Sequence, residues 1–163
     1  MTAYAIMMPT IKTLRESCVW STILCFLFIL CVGASGCGDS RPARVAISGQ
    51  VLIDGQPVTH GTIAIIPDNA RASGSDIGPD GRFTMSCFDQ NDGVVPGNHL
   101  VTVTSIEDID SQTRKWLVPP KYSDPETSDA KVTIDEADDS LTINLTWDGG
   151  KPFVQRFVNG KWR

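Results

Sequence analysis

From Val45 onward the apolar residues fall on every second position, and this period of two most restricts what the chain can fold into. Val45, Ile47, Val51 and Ile53 share one face of a first segment, with Ser48, Gln50 and Asp54 on the other. Gly49 interrupts the apolar face, which predicts a bulge or a close backbone approach. Asp54-Gly55-Gln56-Pro57 predicts a turn, and His60-Gly-Thr-Ile-Ala-Ile-Ile-Pro67 is expected to return as the second strand of a hairpin. A short strand is expected near Ser75–Ile77, then a second turn at Pro79-Asp80-Gly81. Arg82-Phe-Thr-Met-Ser-Cys-Phe88 alternates and places Phe83, Met85 and Cys87 inward. His99 to Ile106 reads as a strand with Val101 and Val103 on its core face. Two last strands are expected at Lys131–Asp135 and Leu141–Trp147, the latter with Leu141, Ile143, Leu145 and Trp147 inward. Between them and His99–Ile106, the stretch Glu107 to Ala130 lacks periodicity and reads as a long connection, packed across the surface or functional. The expectation is an all-β, antiparallel, Greek-key-type β-sandwich of about seven short strands around one core. Its edge strands would be open to strand addition by a partner.

The chain ahead of Val45 has a different character. Lys12 and Arg15 precede Cys18-Val-Trp-Ser-Thr-Ile-Leu-Cys-Phe-Leu-Phe-Ile-Leu-Cys-Val32, an apolar run shorter than the ~20 residues a bilayer span needs. Cation, apolar run and small residues, in that order, read as a secretory signal. Ala34-Ser35-Gly36-Cys37 resembles the lipobox of bacterial lipoproteins, with Ala34 where that family usually has Leu. The resemblance implies a signal-peptide helix cleaved after Gly36, diacylglycerol on the Cys37 thiol, and often a further acyl chain such as palmitate on the new amino group. An uncleaved signal anchor is the alternative. Two or more acyl chains, at ~0.8 kcal/mol per buried CH2, hold a protein stably where one does so only marginally. The organisation expected is therefore a leader at 1–36, the lipidated cysteine and tether at 37–44, a β-domain at 45–147 and a tail at 148–163. Gly38 to Arg44 reaches at most ~25 Å when extended, which keeps the domain near the bilayer. The location expected is the cell envelope, anchored in a membrane and facing the periplasm or the outer surface.

Removing 1–36 from the 163 residues leaves 127, enough for one independent core. From Cys37 onward there are 12 Lys+Arg against 18 Asp+Glu. That acidic balance argues against a nucleic-acid partner, which calls for a basic stripe. Cys18, Cys25 and Cys31 leave with the leader. If Cys37 carries lipid, Cys87 has no partner for a disulfide, and its alternation with Phe83 and Met85 predicts a buried, inert thiol.

A second resemblance rests on Val45-Ala-Ile-Ser-Gly-Gln-Val-Leu-Ile-Asp-Gly-Gln-Pro-Val58, Gly61-Thr-Ile-Ala-Ile-Ile-Pro67, Asp80-Gly81-Arg82-Phe83 and Val94-Val-Pro-Gly-Asn-His-Leu-Val-Thr-Val-Thr104. These stretches look like a carboxypeptidase-regulatory-like domain, within the wider transthyretin-like or prealbumin-like sandwiches. Pro120-Lys121-Tyr122 and Thr127-Ser128 add a likeness to small secreted bacterial lipoproteins built on that domain. The likeness spans about Val45 to Trp147 and implies the fold; a fold does not fix an activity.

Few residues point to chemistry. His60 and His99 are the only histidines, and no HExxH, H-x-H or CxxC spacing supplies further metal ligands. They read as surface or strand-end residues. No Gly-x-Ser-x-Gly elbow is present. Asp89-Gln-Asn-Asp-Gly93 is similar in composition to a calcium loop but lacks the glycine and bidentate glutamate such a loop uses. Asp135, Glu136, Asp138 and Asp139 form a second acidic turn. Both read first as solvated turns, and no metal or cofactor beyond lipid on Cys37 is expected.

The tail is less ordinary. Gly149 to Arg163 holds four cations, no acid, and Phe153, Phe157 and Trp162 interleaved. One reading is an amphipathic contact with anionic lipid or polysaccharide; the other is a hairpin turning at Asn159-Gly160 that covers a sheet edge. Phe153, Arg156, Phe157, Lys161 and Trp162 are the candidate partner contacts. The function expected is that of a non-catalytic, membrane-anchored binding or structural module, touching an envelope protein or glycan. The alternatives are a transthyretin-like hydrolase and a calcium-dependent module.

Overall fold

The computed structural model describes residues 40–163. Cys37 and the preceding Ala34, Ser35 and Gly36 lie outside the described residues. Pro42–Arg163 is one compact unit. The described residues form twelve strands: β1 (Ile47–Ile53), β2 (Gln56–Pro57), β3 (Gly61–Pro67), β4 (Ser73–Ile77), β5 (Arg82–Thr84), β6 (Gly97–Thr104), β7 (Ile106–Asp110), β8 (Thr113–Trp116), β9 (Lys131–Ile134), β10 (Asp138–Leu145), β11 (Phe153–Val158) and β12 (Lys161–Trp162). A single 3-10 turn, Pro120–Ser123, is the one helical element among the described residues.

The alternation of apolar residues builds two facing sheets. In one, β1 is central, with β10 on one side and β2 and β5 sharing the other. The second runs β4-β3-β6-β9. Ile47 and Val51 of β1, Phe83 of β5, and Ile143 and Leu145 of β10 meet Ile63 and Ile65 of β3, Val101 and Val103 of β6, and Ile134 of β9 in one buried core. Phe83, Met85 and Cys87 all point inward as the alternation predicts, and Cys87 is a buried free thiol.

The all-β expectation holds, with two local differences. The first is that β1 and β10 run parallel, from Ile47 opposite Asp138 to Ile53 opposite Leu145. The second concerns β3, which does not return alongside β1. Asp54 and Gly55, both at positive φ, turn the chain tightly, but only Gln56 and Pro57 pair back onto β1. Pro57 has no N–H to continue the ladder. Val58 then enters the core, and the chain crosses to the opposite sheet, where β3 pairs with β4 and β6.

Gly49 fulfils its reading. The β1–β10 register shifts between Ile47 and Gly49, and a Cβ at Gly49 would collide with the carbonyl oxygen of Leu141. Two backbones therefore meet at a distance only glycine permits.

A third sheet, β12-β11-β8-β7, is built by the two stretches whose periodicity carried least information. Glu107 to Ala130 is not irregular throughout. Its first part is the β7–β8 hairpin, and β8 receives the tail strand β11 on its other side. Asn159 and Gly160, at φ 51° and 77°, turn β11 into β12 as a two-residue hairpin. The remainder of the connection is pinned by Tyr122, which is buried and accepts a hydrogen bond from the Thr146 N–H at 3.3 Å.

Candidate contact surface

The third sheet departs from the rest of the body in what it exposes. Among the described residues, the exposed large apolar side chains are Ile109, Phe153, Val154, Phe157, Val158 and Trp162, and all six lie on it. Elsewhere among the described residues the same residue types are buried or half-buried.

Register sorts these side chains onto two faces. Phe153 stands opposite Trp116, Gln155 opposite Arg114, and Phe157 opposite Trp162. Directly opposed residues share a face, so these six form one surface. Val154, Arg156, Val158, Lys115 and Lys161 occupy the other. The five tail residues singled out in the sequence are thus brought onto one hairpin but divided between its faces. Phe153, Phe157 and Trp162 lie on the aromatic face, and Arg156 and Lys161 lie behind it.

The aromatic face is held by residues that the sequence did not point to. Gln155 Oε1 accepts from Arg114 Nε at 3.1 Å, from Arg114 Nη2 at 2.9 Å and from Trp116 Nε1 at 2.7 Å. The Arg114 guanidinium lies 4.1 Å from the Trp162 ring centroid and 5.2 Å from that of Trp116, within cation–π range of both. Phe157 packs on Trp162 at 5.4 Å, and Trp147 meets Phe153 edge-on at 6.3 Å. Thr113-Arg-Lys-Trp116 is too short for a periodicity signal, and Gln155 becomes visible only once β11 is set against β8.

The other candidates do not assemble into a reactive site. His99 sits at the Pro67 end of the β3–β6 ladder, whereas His60 precedes Gly61 at the far end. They are therefore separated by about six rungs, roughly 20 Å. His60 is half-buried and structural: its Nε2 is 3.2 Å from the Ile106 carbonyl, and its own carbonyl accepts from Ser105 Oγ at 2.6 Å. His99 lies near the end of its strand, as expected, but not at the surface. Its side chain lies on the core face of β6, is buried, and neither ring nitrogen has a hydrogen-bond partner. Burial pushes its pKa below the usual 6.5, opposed by a backbone interaction with Val95 and by the Asp68 carboxylate.

The Asp89–Gly93 loop spends its Asp92 carboxylate on neighbouring backbone. Asp92 accepts N–H groups from Cys87 at 2.6 Å, Phe88 at 3.1 Å and Asp89 at 3.1 Å, and pairs with Arg44 at 2.8 Å. Burial alone would raise its pKa; the three N–H donors and Arg44 together hold it below the ordinary value. In the second acidic turn, Asp138 Oδ1 accepts both the N–H and the hydroxyl of Ser140 at 2.8 Å. No group of three His, Cys, Asp or Glu side chains converges among the described residues. A shallow groove of about 670 Å³ crosses the outer face of β4, β3 and β6, lined by Thr62, Thr102, Thr104, Gln90 and Asn91 with Asp76 as its one ionisable group.

No family model matches the chain, and no curated protein or solved structure matches it significantly.

Proposed function

We propose that this is a cell-envelope lipoprotein, acylated at Cys37, whose β-sandwich of carboxypeptidase-regulatory-like type works by contact and not by catalysis. The third sheet is its contact surface. The observation that carries this reading is the gathering of the exposed large apolar side chains onto that one sheet. Apolar patches of this kind mark interaction sites. The non-catalytic part is supported by the separation of the two histidines and by the internal use of Asp92 and Asp138. It is supported too by a groove whose lining carries a single ionisable side chain, Asp76.

Labelling cells with radioactive palmitate tests the anchor. Label is expected in the wild type and absent from Cys37→Ala; equal labelling of both overturns acylation at that residue. Capture from solubilised envelope tests the contact surface, comparing residues 42–163 with the same protein ending at Trp147. A partner retained equally by both would place the contact elsewhere.

A further inference from the structure

We infer that the turn of the β11–β12 hairpin inserts into the interface of a bilayer carrying anionic lipid, giving the protein a second, non-covalent membrane contact. The inference rests on the reading of the third sheet as the contact surface and names what that surface touches.

One end of the third sheet joins the body. Ile106 follows β6 after the single buried residue Ser105, Trp116 leads to buried Val118, and Phe153 packs on Trp147. The opposite end carries the β7–β8 turn and, beyond it, the Asn159-Gly160 turn. Phe157 and Trp162 flank that second turn on one face at 41% and 37% exposure, and Val158 flanks it on the other at 44%. A protein or glycan laid against a sheet covers one face and leaves the other wet. Apolar side chains on both faces of a turn lose water together when the turn enters a medium that surrounds it. The headgroup–acyl boundary is such a medium, and Trp and Phe are suited to it.

Charge selects the kind of bilayer. Lys151, Arg156, Lys161 and Arg163 are the only ionisable side chains between Gly149 and Arg163, and all are cationic, on a chain whose net charge is −5. The acids of this sheet lie on β7, the opposite edge, with β8 and β11 between it and β12, roughly 14 Å away. There Glu107 pairs with Lys115 at 3.7 Å, and Asp110 accepts the Gln112 N–H at 2.8 Å and lies within electrostatic reach of Arg156 on β11, so the cations farthest from these acids are Lys161 and Arg163. The hairpin edge therefore presents positive charge and aromatic area together, which is the combination that anionic headgroups attract.

The test uses residues 42–163, the unit that contains the whole core, so that no acyl chain contributes. The protein is sedimented with vesicles of phosphatidylcholine alone and of phosphatidylcholine mixed equally with phosphatidylglycerol. Binding is expected to the mixed vesicles, weakening as salt is added, with quenching of Trp162 fluorescence by brominated lipid that Trp162→Phe removes. Lys161→Ala should lower binding about fivefold. Val158→Asp should lower it further, with unchanged thermal melting to show that the fold is intact. Absence of sedimentation with mixed vesicles overturns the inference. So does binding indifferent to Val158→Asp, self-association through the hairpin in place of vesicle binding, or retention on envelope glycan alone. Palmitate labelling at Cys37 is read separately, so loss of one membrane contact is not mistaken for loss of the other.

Discussion

Trp116 donates its indole N–H to the side-chain oxygen of Gln155 at 2.7 Å, joining a strand from the middle of the chain to one from its tail. The same oxygen takes both Arg114 donors. One carboxamide thus satisfies a nearly buried indole and orients the cation that stacks on Trp162.

Replacing Gln155 by Ala should leave Trp116 Nε1 and the inner Arg114 donors without an acceptor. A buried donor left unmade costs about 1–3 kcal/mol, and here the cost falls on the third sheet. Tryptophan fluorescence should report an earlier denaturant transition than a probe in the main core. Coincident, unshifted transitions would show that the carboxamide contributes nothing.

His99 should make stability depend on pH on the acid side of neutrality. In the unfolded chain it takes up a proton near its ordinary value of 6.5, whereas in the fold burial holds its pKa lower. Below 6.5 the unfolded state binds more protons, so stability falls as pH falls towards the folded value. His99→Leu should flatten that part of the curve in urea unfolding between pH 7 and 5. A wild-type curve already flat there would contradict the assignment.

Asp92 acts in a more acidic range. Its folded pKa lies below the ordinary 3.8, so its stabilisation is complete above that value and is lost as pH falls through the lower, folded one. Asp92→Asn keeps the shape but weakens hydrogen bonds to Cys87, Phe88 and Asp89 and leaves Arg44 without this carboxylate. A loss of about 1–3 kcal/mol at neutral pH is expected, with less further loss on acidification than the wild type shows. Equal acid midpoints for the two proteins would refute the role.

Gly49 and Gly55 should respond differently to alanine. At Gly49 the added methyl meets the Leu141 backbone, which cannot move without parting β1 from β10. A loss of about 4 kcal/mol or more, or no soluble protein, is expected. Gly55 has open space around it, and only its φ of 79° opposes the change, at roughly 1–2 kcal/mol. Thermal melts of the two variants should differ clearly, and equal melting points would contradict the close approach at Gly49.

The legible parts of the fold were those where a strand buries one face. Val101 and Val103, Ile143 and Leu145, and Phe83, Met85 and Cys87 are inward because alternation records which side meets the core. The turn at Asn159-Gly160 was legible for a local reason, since both residues tolerate positive φ. The partner of a strand was less accessible. The Asp54-Gly55 turn suggested β3 as the neighbour of β1, yet β3 lies in the opposite sheet, because an apolar face shows that a strand is buried and not against what. His99 was misplaced similarly: one polar residue on an apolar face does not announce that it goes in unpaired.

What the residues settled unaided was local: period two from Val45, the positive-φ turns, the glycine at the bulge, and a cationic, acid-free, aromatic run from Gly149. Side-chain sterics and burial act within a few residues, so these features are written along the chain. What needed the folded molecule was long-range pairing. Ile106–Asp110 and Thr113–Trp116 bury too little to show a periodicity, and β8 becomes the inner strand of a sheet only because Phe153–Val158 returns to it. The two-faced hairpin and its Arg114–Gln155–Trp116 support exist through that pairing, since hydrogen bonds between distant segments leave no pattern in either segment alone.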